Sequence, residues 1–357
     1  MYLTKLLGSR GNSVTTPFQE FRILKPTMKS KEKIKELHQI RPAYNLVILF
    51  FFGLWAASSY LTLQMANVWL RLPGFLLSGI VLHALGILMH EGVHSNLSKN
   101  RKLNRWLGFL CGAPTLLGIS AYKAVHLPHH RHERMAEDPD EFENLTRHPL
   151  VLKIILIGWF FVGAFFYLLH IPITGLKLAS RQEKKKIIQE YLLIVLLAAL
   201  AFYLVPFKIL NQAWLIPLFV TAQLAQIRGL AEHAFTAGDD LLTASRTVTS
   251  NRIVSFFMCN LNYHLDHHIY PGVPWYNLPR LHRLLLEDYR KAGVSVFTSY
   301  TVYLWEVFKA LFAKVTNPYL EAGPPSGYYR HYMPVITGTP TAGKLEVLLN
   351  YEERSNR

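Results

Sequence analysis

Five long apolar runs restrict this chain more than any other feature. They cover residues 44–65, 72–90, 150–173, 191–205 and 214–227. A helix rises about 1.5 Å per residue and a bilayer's hydrocarbon is about 30 Å thick, so about 20 apolar residues cross it. Charged residues make up 17% of the 357, below the soluble average of about 25%, and 51% are hydrophobic. The expected fold is an all-α integral membrane protein.

The net charge of +15 raises nucleic acid as a partner. No nucleic-acid motif is present, however, and the basic runs flank apolar spans, as Lys- and Arg-rich cytoplasmic loops do. Cys111 and Cys259 are the only cysteines, which leaves no disulfide framework and no thiolate metal site. The first 40 residues are polar and carry no secretory-signal pattern. The basic run before Arg41 sets the start of the first span on the cytoplasmic side, and the second span returns there. The stretch GLKLASRQEKKK reads as a basic loop. If residues 150–173 crossed, its five Lys and Arg would lie outside, against the positive-inside tendency. That segment is therefore read as re-entrant or interfacial, and residues 191–205 and 214–227 as a hairpin joined near PFKILNQ. About four spans in two hairpins result, with a cytoplasmic helical cap. Residues 1–43 form an N-terminal segment and 44–292 the membrane domain with its cap. Residues 293–357 form a C-terminal helix and an irregular tail. An amphipathic helix is expected over about 278–292, after a Pro-rich turn.

Histidines crowd into three places: HEGVH, HLPHHRH and HLDHH. Helical residues at i and i+3 or i+4 share a face. His90 pairs with His94 by that rule, His126 with His129 and His130, and His264 with His267 and His268. Isolated histidines such as His38, His148, His282 and His331 are ordinary polar groups. Clusters in an apolar chain are different, because they desolvate many rings for no return unless liganded. Eight imidazoles exceed one ion and suit two, and imidazole suits iron, copper, nickel and zinc alike. HEGVH also matches H-E-x-x-H, the zinc-peptidase pattern with Glu91 as general base. That reading leaves six clustered histidines idle and needs a further ligand, for which Asp239 and Asp240 are weak candidates.

The order H-x-x-x-H, H-x-x-H-H, H-x-x-H-H, with hydrophobic hairpins between, resembles the membrane fatty acid desaturase and hydroxylase superfamily. The resemblance runs from about Tyr44 to His282. It takes in NRKLNRWLGFLCGAP, EDPDEF and NLNYHLDHHIYPGVPWYNLPRLH. It implies a histidine-rich di-metal site on the cytoplasmic face, two non-haem irons, dioxygen as co-substrate, and electrons from a separate ferredoxin- or cytochrome-type donor. The implied ligands are His90, His94, His126, His129, His130, His264, His267 and His268. One more, His233 in RGLAEHAFT, sits where many members place a histidine between the last hairpin and the third box.

Other positions stay open. Asn260 or Asn262 could hold a water on one metal or cap a turn. His132 is either beside the ligands or exposed. Glu91, Asp138, Asp140, Glu232 and Asp266 could receive the outer N–H of ligand rings. Glu141 and Glu143 read as a solvated acidic loop. His83, in the second span, could line a substrate tunnel or bond a neighbouring helix. The implied reaction takes hydrogen from an unactivated C–H bond of a long apolar substrate, first of all a fatty acyl chain. The alternatives are a carotenoid hydroxylase or ketolase, another lipid hydroxylase and, remotely, an intramembrane zinc protease. HPGG, the haem signature of fused cytochrome domains, is absent.

Overall fold

The structure is a computed structural model that describes residues 28–135, 137–141, 149–234, 236, 241–294 and 296–312. It is mostly helical. In chain order the helices are α1 (Met28–Leu37), α2 (Leu46–Gln64), α3 (Val68–Val93), α4 (Arg101–Gly112), α5 (Ile119–His132), α6 (Pro149–Leu178), α7 (Arg181–Leu204), α8 (Phe207–Leu210), α9 (Ile216–His233), α10 (Leu241–Ala244), α11 (Arg252–Phe257), α12 (His264–Ile269), α13 (Leu278–Ala292) and α14 (Tyr300–Phe312). The departure from all-α is a two-stranded parallel pair, β1 (Thr247–Val248) and β2 (Val296–Phe297). It ties the segment before the third histidine box to the segment after α13.

Three helical stretches among the described residues are long and apolar enough to cross a membrane: Pro42–Gln64, Val68–Val93 and Arg181–Leu204. They differ in surroundings. Buried residues make up 61% of the most apolar window of α3 but only 28% and 17% in the other two, so α3 is the central helix. Apolar residues all round a helix demand that burial, and Val81, Leu82, Ala84, Leu85 and Leu88 are each fully enclosed. Apolar surface gives little attraction inside lipid, so small and hydroxylated residues join the helices. Ser78 donates to Ser58 at 3.1 Å, and Ser58 donates to the Gly74 carbonyl at 3.1 Å, which binds α2 to α3. On the other side of α3, Thr221 of α9 donates to the Gly79 carbonyl at 2.9 Å.

Two expectations change in detail. GLKLASRQEKKK is not a loop: α6 ends at Leu178 and α7 starts at Arg181. Ser180 accepts from the Glu183 N–H while the Glu183 carboxylate accepts from Ser180, a capping box that starts the helix inside the basic run. Residues 150–173 belong to one continuous 30-residue helix, which leaves no chain reversal for a re-entrant segment. Between α7 and α9, residues 207–233 are helical without a break, widened to a π-turn at Asn211–Leu215. The Ala213 carbonyl in that turn accepts from the Trp55 indole N–H at 2.8 Å, and the Trp214 indole donates to the Pro114 carbonyl at 2.7 Å. Buried Glu190 of α7 latches α4 and α5, accepting from Arg105 at 2.8 Å and from Ser120 N and Oγ at 2.8 and 2.7 Å. α13 falls where expected and ends at Gly293, whose φ of +67° suits glycine.

The α3–α9 contact places both helices beside the histidines, and Gly79 sets its closeness. A Cβ there would lie 2.5 Å from Val220 Cβ and 2.9 Å from the Pro217 carbonyl oxygen. We expect Gly79→Ala to lower the melting midpoint in detergent by several degrees, equivalent to about 1–3 kcal/mol of overpacking. Gly53→Ala, with nothing within 4 Å of the added carbon, should not lower it.

Candidate metal centre

Each histidine box delivers its rings by helical geometry. Successive residues turn by about 100°, so adjacent histidines on one helix face different directions. On α5, His126 and His130 point one way and His129 another. On α12, His264 and His268 share a face and His267 turns from it. The H-x-x-H-H pattern therefore feeds two neighbouring centres at once. α12 is aimed by a tight turn before it, where Cys259 and Asn260 take φ of 44° and 53°.

The first centre gathers five rings: His90 and His94 from the end of α3, His126 and His130 from α5, and His267 from α12. Their Nε2 atoms face one another. His126 Nε2 lies 2.8 Å from His90 Nε2, 3.0 Å from His94 Nε2 and 2.9 Å from His130 Nε2, and His130 Nε2 lies 3.2 Å from His267 Nε2. A ring nitrogen offers one proton or one lone pair, so His126 Nε2 cannot satisfy three such neighbours by hydrogen bonds. A cation among them resolves the conflict. Donors at right angles and about 2.1 Å from an ion are roughly 3.0 Å apart, against roughly 3.4 Å for a tetrahedron. The observed spacing and the five donors fit a metal of higher coordination better than structural zinc.

The second centre gathers His129, His233, His264 and His268, with ring centroids 4.5–5.3 Å apart among neighbouring pairs. His264 Nε2 lies 2.9 Å from His233 Nε2, and His268 Nε2 is buried without a hydrogen-bond partner. All nine histidines named from the sequence thus come together, in sets of five and four. His132 is half-buried and joins neither set.

Carboxylates stand behind several rings. Asp138 accepts from His129 Nδ1 at 2.9 Å, and Glu232 lies 3.4 Å from His264 Nδ1 while accepting from Arg228 at 2.8 Å. Glu133 went unrecognised in the sequence. It accepts from His233 Nδ1 at 3.0 Å and lies 2.8 Å from His268 Nδ1. The signal was available: Glu133 is four residues past His129 and three past His130, the spacing that singled out the histidines. Burial opposes its charge, but His268 and His233 outweigh burial and hold its carboxyl well below the usual carboxylate range. Burial, and then the neighbouring rings, push His126, His130, His264 and His267 well below the ordinary imidazole value. His94 is pushed down to about 3, by burial first. These are neutral lone-pair donors. His129 moves the other way: burial works against its charge, but Asp138 raises it to about 10 and leaves Nε2 facing the centre.

Other acids serve elsewhere. Asp266 accepts from His282 Nδ1 and Tyr289, each at 2.9 Å, and backs no ring of either set; His282 is therefore a buried strut and not an isolated surface group. Asp140 accepts from Tyr167. Glu91 lies 4.0 Å from His90 Nδ1 and accepts instead from the Trp275 N–H at 2.9 Å. Glu141 is not solvated but buried in an ion pair with Arg134, whereas Glu143, His148, Asp239, Asp240 and His331 lie outside the described residues. Asn260 and Asn262 donate to the Trp275 and Val248 carbonyls, holding the loop around the third box. The peptidase reading fares poorly, since His126, His130 and His267 surround the same point as His90 and His94. A cavity of about 240 Å³ reaches both sets, bounded by His90, His126, His129, His233 and His264 at one end and by Ile87, Leu218 and Ala222 further down.

The fold and site define a helical membrane-associated protein with a paired histidine centre. The family model described as fatty acid desaturase matches residues 66–300. The chain belongs to the fatty acid desaturase family, and is an oxidoreductase. It is 27% identical over 234 residues to the sphingolipid delta(4)-desaturase DES1 of Drosophila melanogaster, covering 62% of this chain and 68% of that one. It is 26% identical to the sphingolipid delta(4)-desaturase/C4-monooxygenase DES2 of Homo sapiens (72% and 78% covered). It is 23% identical to the sn-1 oleoyl-lipid 12-desaturase of Arthrospira platensis (68% and 74% covered).

Carboxylates behind metal-bound histidines set ring orientation, and losing one typically costs 10- to 100-fold in metal affinity. We expect Glu133→Gln to weaken one of two metal-binding steps in a titration with ferrous or cobaltous ion by about that factor, leaving the other step unchanged. Equal weakening of both would contradict the assignment of Glu133 to His233 and His268.

Proposed function

We propose that the chain is a lipid desaturase whose nine histidines hold two non-haem irons. His90, His94, His126, His130 and His267 would hold one, and His129, His233, His264 and His268 the other. The observation that carries this reading is the convergence of nine histidine rings, six of them buried, in adjoining clusters beside one cavity. Family membership and the relatives' names support the reaction class. When bound, the irons supply dioxygen chemistry strong enough to break an unactivated C–H bond. The overall balance is fixed by the product. Two hydrogens leave adjacent carbons as a double bond forms, dioxygen accepts them with two further electrons and two protons, and two waters result. The two electrons come from a separate donor protein of ferredoxin or cytochrome type.

The residues of this chain position and protect. The cavity wall of α3, α5, α6 and α9 seats a long acyl chain with one segment against the rings of His90, His126 and His264. Apolar lining excludes water, which guards the oxidising site from side reactions. The Tyr167–Asp140 hydrogen bond and the His170 contact to the Pro139 carbonyl fix the acidic loop at the metal-side end. On this reading four spans cross the membrane, α2, α3, α7 and the continuous helical run of residues 207–233, with α6 lying in the interface and the histidines on the cytoplasmic face; the three long apolar stretches support it. Residues 44–292 act as one membrane unit. An acyl substrate within a lipid is favoured over a carotenoid because the curated relatives considered above are named for lipid desaturation. Hydroxylation by the same site is the second reading, favoured by the DES2 relative, whose name carries a monooxygenase activity beside a desaturase one.

Purified chain should contain two irons by elemental analysis, and cells expressing it should gain double bonds in their acyl chains. His267→Ala should abolish turnover while the spans remain inserted. Full activity in that variant removes His267 from the ligand set, and a single zinc with cleaved membrane peptides would overturn the whole reading.

A further inference from the structure

The cavity below the histidines is not uniformly apolar. His83 lines it from α3, is 94% buried, and its Nε2 has no hydrogen-bond partner among the described residues. Arg228 lines it from α9, with Nη1 bound to Glu232 and a buried Nε that also lacks a partner. Leaving one such group unpaired costs about 1–3 kcal/mol, more where it is charged. A pocket for plain hydrocarbon would not carry two of them on facing helices. The Thr221–Gly79 hydrogen bond sets the register of α3 against α9 and brings Arg228 level with Gly86. Arg228 then stands roughly 6 Å, and His83 roughly 10 Å, down the helix axis from His90. With carbon–carbon bonds of about 1.5 Å in a zigzag, those heights correspond to about five and about eight methylenes.

Resting on the desaturase reading above, we propose that His83 and Arg228 form a polar subsite that binds an oxygen or amide group of the substrate within about eight carbons of the bond oxidised. The lipid enters with its polar group inside the cavity, so the new double bond lies near the head of the chain. This separates the two reactions named among the relatives. A delta(4) position lies within that reach, and position 12 of an oleoyl chain lies beyond it. A site built to bond a polar group rejects analogues without it, because its own groups are then left unpaired. His83 is a specificity-determining residue on this account, and Arg228 shares the task while also holding Glu232 behind His264.

The test uses the full chain with its electron donor and two lipids of equal chain length. One is a saturated long-chain 2-amido-1,3-diol, and the other a glycerolipid ester with an oleoyl chain. Products are located by mass spectrometry of double-bond position. Wild type should act on the first at least tenfold better. His83→Leu should lose about tenfold in kcat/KM on it, the value of one buried hydrogen bond, with both irons retained, and His83→Gln should recover part of the loss. Unchanged kcat/KM in His83→Leu, or a new double bond more than about nine carbons from the nearest oxygen or nitrogen, overturns the subsite and leaves the desaturase reading standing. Absence of any unsaturated product from iron-loaded wild type sinks both.

Discussion

Crowding of imidazoles, neutral around His126 and charged at His129, is the constraint on which the rest of this structure depends. Nine rings share one buried region, and around His126 three nitrogens approach a fourth at 2.8–3.0 Å. Protonating these rings would stack buried positive charge, and leaving them neutral opposes their lone pairs. A cation among them relieves the conflict, and a metal bound only by the folded chain adds its binding free energy to folding. The approach to the third box is strained, with Cys259 and Asn260 held at positive φ directly before it.

The carboxylates complete the arrangement. Asp138, Glu133 and Glu232 stand on the Nδ1 side of four rings, so the Nε2 atoms are turned inward. Two of these acids follow the second box closely, and the third precedes His233 by one residue. Each orienting group is thus local in sequence to a ring of the second centre. The first centre lacks such partners: the Nδ1 atoms of His90, His130 and His267 are buried with no hydrogen bond among the described residues. Its five-ring geometry rests on packing of α3 against α4 and α5, with α12 held by α13 and β1. The two centres are therefore unequal in their surroundings: carboxylates lie within 3.4 Å of all four Nδ1 atoms of the second, whereas Glu91 stands 4.0 Å from His90 Nδ1 at the first.

Much of this was legible before any coordinates. The long apolar runs identify α2, α3 and α7, and the i, i+3, i+4 spacing identifies eight of the nine rings that converge, while His233 came from the family resemblance. What was missed has physical causes. The basic run at 181–186 looked like a loop because charge was weighed and the Ser180–Glu183 capping box was not. Glu141 looked solvated because burial of an acid depends on Arg134, a partner seven residues away whose position only the fold decides. Asp266 sits inside the third box and was a natural candidate to orient a ligand ring, yet helix α12 turns it toward His282 and Tyr289. The β1–β2 pairing joins residues about 50 apart and has no local signature.

Charge is divided in the same way as the rings. Seven acidic residues among those described are buried: Glu91, Glu133, Asp138, Glu141, Glu190, Glu232 and Asp266. Only Arg134 and Arg246 are buried among the arginines and lysines described. The net charge of +15 therefore understates the positive potential outside, because much of the balancing negative charge faces inward to histidine and arginine. Such an exterior attracts anionic surfaces, each cation near a charged lipid leaflet contributing about 1 kcal/mol. The acids that hold the metal-side rings and the cations left outside are two consequences of one partition.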